Sequence, residues 1–190
     1  MAEITQASAE RFTTATRRAN RNPTDIVSAR SIQALIQWLY LRAVDFGIKD
    51  NSECISAIIE LARLADKYGI IGIQSAVADK IKKVICSRNK QNGGSFPKDN
   101  TSSLKSAHII SGTFLPRGHP VRSILAAACV CGYLRQKNHK FAQEAEDHPT
   151  FAADLLREVQ LALDTINVLK QRAFIFKDPV DKAETLLQRT

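Results

Sequence analysis

Residues 61–74 read LARLADKYGIIGIQ. Leu61, Leu64 and Ala65 recur at helical spacing. Gly69 then supplies a stop, because glycine takes the left-handed conformation that closes a helix without a Cβ penalty. Ile73-Gln74 open a second apolar run with Ile73, Val77, Ile81, Val84 and Ile85 on one side and Asp79, Lys80, Lys82 and Lys83 on the other, the pattern of an amphipathic helix. Two helices joined by so short a turn are made to pack against each other, so the fold is read as mainly α.

Working outward on the N-terminal side, Trp38-Leu39-Tyr40 closes another helical pattern. Its apolar positions Ile32, Leu35, Ile36 and Leu39 follow the i, i+3, i+4, i+7 rule, which predicts that they face the core, and Ser28 or Ser31 is its expected cap. Residues 43–48 (Ala43, Val44, Asp45, Phe46, Gly47, Ile48) alternate and predict a short strand. Asn51 or Ser52 is expected to cap a helix carrying Ile55, Ile58, Ile59, Ala62 and Ala65.

This succession resembles the second half of a BTB/POZ domain, particularly its fungal versions. There a helix closes in W-L-Y, a short strand follows, a helix reads L-x-x-L-A-D-K-Y/L-G-I, and a closing helix opens with an apolar residue before Gln or Asn. The chain supplies Trp38-Leu39-Tyr40, residues 43–48, then Leu61, Leu64, Ala65, Asp66, Lys67, Tyr68, Gly69 and Ile70, and finally Ile73-Gln74. The resemblance spans residues 25–86. It implies a partial BTB/POZ (α+β) core with few short strands, followed by an α-helical extension. It also implies a non-catalytic protein–protein interaction module that self-associates or recruits partners, in some members docking onto the cullin scaffold of a ubiquitin ligase as a substrate adaptor. Trp38 and Tyr40 are then assigned mainly to packing, and the surface around Leu41, Asp45, Phe46, Lys67 and Tyr68 to partner contacts. Core anchoring is the stronger reading of Trp38, since a large ring gains most free energy when buried.

Two departures from the family pattern matter. The strands and the F-x-V-H/A-H-K segment that open the domain are missing ahead of this match, which removes the usual dimer-forming surface. Leu41 and Arg42 stand where the family commonly has Thr-Gly. A sheet reduced to one or two strands leaves an unpaired edge and apolar helix faces, which predicts aggregation or obligate partnering unless the C-terminal helices cover them.

The expected organisation is a poorly structured or short helical N-terminus over 1–22, the BTB/POZ-like region over 23–87, a flexible linker over 88–106 and a helical region over 107–190. The linker is marked by Asn92-Gly93-Gly94-Ser95 and Pro97 and lacks the Lys-Ser/Thr of a phosphate loop. In the last region Pro120 takes the favoured first position of a helix with Val121, Ile124, Leu125, Ala128 and Cys129 buried. Asn138 is expected to cap a short helix through Phe141 and Ala145. Pro149 opens the longest pattern, with Leu155, Val159, Ala162, Ile166 and Leu169 predicting a helix as far as Ala173, and Asp178-Pro179 predict a final helix using Val180, Ala183 and Leu187. The segment from Leu115 onward resembles the helical extension of filamentous-fungal members of the family.

The chain has 190 residues, 44% of them hydrophobic, and 27 basic against 19 acidic residues for a formal charge of +8. Five basic residues against one acidic lie in 88–120, so much of the excess belongs to the linker. Charge of this size permits attraction to nucleic acid. The Arg17, Arg18, Arg21 cluster is small, however, and no aromatic residues interleave with Lys80, Lys82 and Lys83, which disfavours nucleic acid as partner without excluding it. No apolar run approaches the roughly 18 residues of a membrane span, and residues 1–20 lack the apolar centre of a signal peptide, so cytoplasm or nucleus is expected and no membrane contact.

The four cysteines, Cys54, Cys86, Cys129 and Cys131, read as reduced apolar residues. Cys129 and Cys131 stand about 200° apart round a helix and face different ways. Glu144 and His148 share a helix face, but such a pair is usually a surface ion pair. His108 and His119 flank a loop with no ligand at metal spacing. With no nucleophile motif present, the reading is of a protein that is not an enzyme and holds no cofactor or metal. A basic, nucleic-acid-associated helical protein and a purely structural helical protein are the alternatives; the latter expects no strand over 43–48.

Overall fold

The computed structural model describes residues 28–91, 100–136, 138–168 and 174–187. The N-terminal region with Arg17, Arg18 and Arg21, the glycine pair at 93–94, and Leu169 and Ala173 lie outside these. The described residues form seven helices followed by a small antiparallel sheet: α1 (Ala29–Leu41), α2 (Asn51–Lys67), α3 (Gln74–Gln91), α4 (Ser106–Thr113), α5 (Pro120–Arg135), α6 (Ala142–Asp147), α7 (Pro149–Leu163), β1 (Asn167–Val168), β2 (Phe174–Lys177) and β3 (Glu184–Leu187). The fold is mainly α.

The helix signals act largely where the residues place them. Ser28 caps α1 by accepting from the Ser31 amide at 3.2 Å. Asp50, rather than Asn51 or Ser52, caps α2, its carboxylate taking the Glu53 amide at 2.7 Å, because the carboxylate is an N-cap acceptor as good as Ser or Asn and also meets the positive end of the helix dipole. Gly69, at φ +65°, closes α2. Its N–H reaches the Asp66 carbonyl and that of Ile70 reaches the Ala65 carbonyl, at 3.1 and 2.8 Å, the paired bonds of a Schellman end. Pro120 stands at the start of α5, where the His119 ring accepts from the Val121 amide.

α2 is the centre of the N-terminal half. Ile55, Ile58, Ile59, Leu61, Ala62, Leu64 and Ala65 are all buried, so it is apolar over more than one face and contacts α1, α3 and α4. α3 packs in turn on α5, and α5 on α7. Buried side chains from Ala34 to Ile85 and from Leu104 to Val180 thus belong to one hydrophobic cluster. Asn100, Thr101, Ser103 and Leu104, read from sequence as part of a flexible linker, are buried in it. They are tied down from a distance: the Lys140 ammonium donates to the Thr101 and Leu104 carbonyls, each at 2.8 Å, and the Asn100 amide donates to Asp178 at 2.9 Å.

α1 corrects its own sequence reading. Ser31, Ala34 and Trp38 are buried against α2; of the positions expected inside, Leu35 is half-buried and packs on the core, whereas Ile32, Ile36 and Leu39 are 46%, 50% and 47% exposed. The two stripes lie roughly 130° apart round the helix. Small Ser and Ala let α1 approach α2 closely, and the Trp38 ring then fills the wider end of the contact. The helix ends at Arg42, held at φ +52°, a conformation costly for any residue with a Cβ; the guanidinium lies 5.6 Å over the Trp38 ring.

Residues 43–48 carry no strand pairing. Val44, Phe46 and Ile48 are half-buried in alternation with exposed Ala43, Asp45 and Gly47, so the period-2 signal matches its sidedness, but Gly47 at φ +62° breaks the extended backbone. Its partner is not a strand but a side chain: Lys80 of α3 donates to the Val44 carbonyl at 2.6 Å and pairs with Asp45 at 3.4 Å.

The strands occur instead where helices were expected. α7 stops at Leu163, because the Thr165 hydroxyl turns back to the Ala162 carbonyl at 2.7 Å and accepts the Lys177 amide at 2.9 Å. The β-branched Thr165, Ile166 and Val168 then favour extended backbone. The final helix predicted from Asp178 is a single turn. Asp178 accepts the Val180 amide at 2.8 Å, Lys182 takes φ +63°, and the Asp178 amide bonds the Ala183 carbonyl at 2.9 Å. The chain therefore reverses into β3, with Phe176 opposite Thr185 in register, both buried. The sheet order is β1-β2-β3.

A buried ion pair joins α5 to α7. Arg122 donates Nε to Asp154 at 2.7 Å, Nη1 to the Leu115 carbonyl at 3.0 Å and Nη2 to the Thr150 carbonyl at 3.1 Å, and both residues are 7% exposed. Removing one partner strands the other charge in the core. Arg122→Met or Asp154→Asn alone is expected to cost about 3–5 kcal/mol in urea unfolding, and the double replacement Arg122→Met with Asp154→Leu clearly less than either.

Candidate functional site

The residues assigned to partner contacts separate into two places. Trp38 is 8% exposed and belongs to the core, as its ring size favours. Its indole Nε1 is buried without a hydrogen-bond partner among the described residues, a cost that the ring's apolar burial offsets. Tyr40, assigned to packing, is instead 83% exposed because it lies past the α2 contact on the outer side of α1, and Leu41 is 71% exposed. Phe46 is half-buried and Asp45 exposed. Lys67 and Tyr68 close α2 at its far end, where Tyr68 is exposed. Asp45 acts electrostatically on Cys54 in the first turn of α2, and Tyr68 comes fourteen residues after Cys54, about 20 Å along the helix. The structure therefore unites Tyr40, Leu41, Asp45 and Phe46 at one edge and leaves Lys67 and Tyr68 to another.

The first edge continues along α1. Ile32, Ile36 and Leu39 run into Tyr40 and Leu41, so five large apolar side chains are at least 46% exposed there. Sequence reasoning missed this surface because it assigned the same residues to the core. The signal was present in the order Ser31, Ala34, Trp38, a second helical stripe with small residues where helices meet. At its lower margin the Asp45 carboxylate accepts the Gly47 amide and pairs with Lys80, which together hold its pKa below the ordinary value. Lys80, read from sequence as part of a basic ridge, thus serves the packing of residues 43–48.

Around Tyr68 lie further exposed apolar groups, Ile71 at 86% and Phe114 at 58%. Arg63 stacks its guanidinium 4.9 Å from the Phe114 ring, joining α2 to the end of α4.

The titratable side chains are tied to structure. His108 accepts the Lys105 amide on Nδ1 at 3.0 Å and donates Nε2 to the Ser56 hydroxyl at 2.8 Å, which joins α4 to α2. Burial, with nearby Lys105, lowers its pKa. His119 caps α5 through Nδ1, and burial lowers its pKa as well. His139 packs edge-on to Tyr133 with centroids 5.1 Å apart and is lowered by the same cause. None of the four cysteines is in a disulfide. Cys129 bonds the Leu125 carbonyl at 3.3 Å and Cys131 meets Arg135 at 3.9 Å, so the two point to different neighbours. Burial raises the Cys54 thiol above its ordinary value, the opposite of what a nucleophile needs. His148 links α6 to α7 through its backbone. No group of three metal-ligating side chains is found among the described residues, and none of their helices is long and apolar enough to cross a membrane.

No family model matches the chain, and no curated protein or solved structure was found to match it.

The histidines set a pH dependence. A folded-state imidazole pKa below the unfolded value of about 6.5 means that the unfolded chain binds the proton more readily. Their stability is therefore present above about pH 6.5 and is lost as pH falls through the lower folded values. Burial raises the Glu158 carboxyl, which acts in the opposite sense, so the histidine part must be isolated by substitution. The urea midpoint is expected to fall between about pH 7.5 and pH 5.5, and to fall less in a His108→Gln, His119→Asn variant, which keeps both hydrogen-bonding roles without the charge.

Proposed function

We propose that this chain is a non-catalytic protein–protein interaction protein, and that its contact surface is the edge formed by α1 and residues 40–46. The observation that carries this is the exposure of five large apolar side chains along α1 and its end, Ile32, Ile36, Leu39, Tyr40 and Leu41; α7 likewise exposes Leu156, Leu161 and Leu163. Exposed apolar surface costs solubility unless something covers it. The ionisable groups described above are engaged in capping, packing and ion pairs, which supports a binding role over a chemical one.

The finer reading is of a BTB/POZ-like adaptor in the cytoplasm or nucleus that docks onto a cullin-type scaffold. Its support is the W-L-Y and L-A-D-K-Y-G-I segments together with the exposed Leu41 and half-buried Phe46 beside them. One observation favours the rival, a purely structural helical protein: residues 43–48 form no strand, whereas the BTB/POZ pattern places one there.

Titration of the full chain against the N-terminal helical domain of a BTB-binding cullin separates the two. The adaptor reading expects saturable binding with a defined stoichiometry, weakened about tenfold or more by Leu41→Asp and unaffected by Tyr68→Ala at the other end of α2. Absence of binding by a sample that melts cooperatively removes the adaptor reading.

A further inference from the structure

Two neighbouring helix starts in this molecule are closed by the same chemical group. At α4, Nδ1 of His108 in the first turn accepts the Lys105 amide at 3.0 Å. At α5, Nδ1 of His119 accepts the Val121 amide at 3.1 Å. Helix N-termini are ordinarily closed by Ser, Thr, Asp or Asn, or by a first-turn Glu or Gln, whose oxygens still accept in mild acid. An imidazole Nδ1 accepts only while the ring is neutral, because both nitrogens of the cation are donors. Both rings are buried, at 2% and 7% exposure. They also bracket one stretch of chain, residues 105–119, which contains α4 and the turn after it.

The surroundings of each ring oppose a positive charge held in place. His108 faces Lys105 and Lys140, with Asp50 of α2 as the acid acting on it. Its Nε2 is committed to the α2 side, to the Ser56 hydroxyl at 2.8 Å and the Ser52 carbonyl. His119 stands between Asp66, near the end of α2, and Arg122 of α5, and Arg122 is itself paired with Asp154 of α7. A cation at either position also meets the positive end of the helix that the neutral ring had capped.

The stretch has fixed points on both sides that depend on neither ring. Before α4, the Lys140 ammonium holds the Thr101 and Leu104 carbonyls, each at 2.8 Å. After the turn, Arg122 and Asp154 keep α5 on α7. Between them α4 has eight residues, too few for a helix to persist in water without packing. It is seated by buried Ile109 and by the His108 contact with α2.

We infer that residues 105–119 are an acid-released latch: protonation of His108 and His119 opens both helix starts and frees α4 and the turn at 114–119 from α2, while α2, α3, α5 and α7 stay packed. Release uncovers Ile109 and Leu115, both buried in the closed form, so mild acid creates an apolar surface absent at neutral pH. The latch lies away from the α1 edge and is independent of the interaction reading given above. Each proton taken up on opening raises the opening constant by up to tenfold per pH unit below the free imidazole value of about 6.5, and two raise it by up to about a hundredfold.

Hydrogen exchange of the full chain, resolved by residue at about pH 7.5 and about pH 5, tests this. Protection of the α4 amides is expected to fall about a hundredfold or more, through an opening insensitive to low urea because it exposes little surface. Amides of α2 from Ile58 to Leu64 are expected to stay at least about tenfold better protected in the same sample, and emission of Trp38, the single tryptophan, to stay unchanged. His108→Gln keeps the first-turn acceptor and His119→Asn keeps the cap. Each is expected to cut the loss to about tenfold, and the two together to abolish it. In the unsubstituted chain the ring protons of His108 and His119 are expected to titrate over the same pH range as the loss of α4 protection. Four results each overturn the latch: α4 protection that is unchanged by pH, α4 and α2 amides that converge on one protection and one urea dependence, a loss that survives the double substitution, or rings that titrate without any change in α4 exchange.

Discussion

The structure depends on the buried guanidinium of Arg122, each of whose three nitrogens finds an acceptor inside the core. A buried cation is tolerable only when it is paired and hydrogen-bonded. Here Asp154 of α7, the Leu115 carbonyl before α5 and the Thr150 carbonyl in the first turn of α7 supply them. Each fixes the position of a different segment. The loop leading into α5, the start of α7 and the α5–α7 contact are set together, and α5 is the helix on which α3 rests. The N-terminal and C-terminal halves are therefore packed as one core. A second polar link, from Asn100 to Asp178, draws the last hairpin onto the chain that precedes α4.

The same logic separates packing chemistry from reactive chemistry. His108, His119 and Lys140 are conspicuous in sequence because His and Lys are common catalytic groups, yet each is spent on a backbone group or a neighbouring helix. The large apolar side chains that stay exposed among the described residues lie on α1, around Tyr68 and on α7.

Much of the helical framework was legible. Gly69, Ser28 and Pro120 act through local geometry that the surrounding fold does not alter, so their residues were sufficient. The candidate site was read only in part. Tyr40, Leu41, Asp45 and Phe46 do gather at one edge, but Lys67 and Tyr68 do not join them, since the length of α2 intervenes. The α1 stripe was missed because periodicity reports that a helix has an apolar face, and α1 has two. Which face turns inward depends on how closely α2 can approach, and Ala34 and Ser31 allow the closer contact.

By itself, then, the sequence determined that the protein is mainly α, where most helices begin, and that residues 43–48 turn alternate side chains inward. Tertiary structure decided what those elements meet. Residues 43–48 are held by Lys80 rather than by a neighbouring strand, and residues 178–187 turn back into a strand rather than starting a helix because Asp178 closes one turn and Thr185 and Phe176 find burial in the core. The physical reason is common to both. Backbone conformation follows from neighbours in the chain, whereas hydrogen-bond partners and buried faces follow from neighbours in space, and no residue carries that information alone.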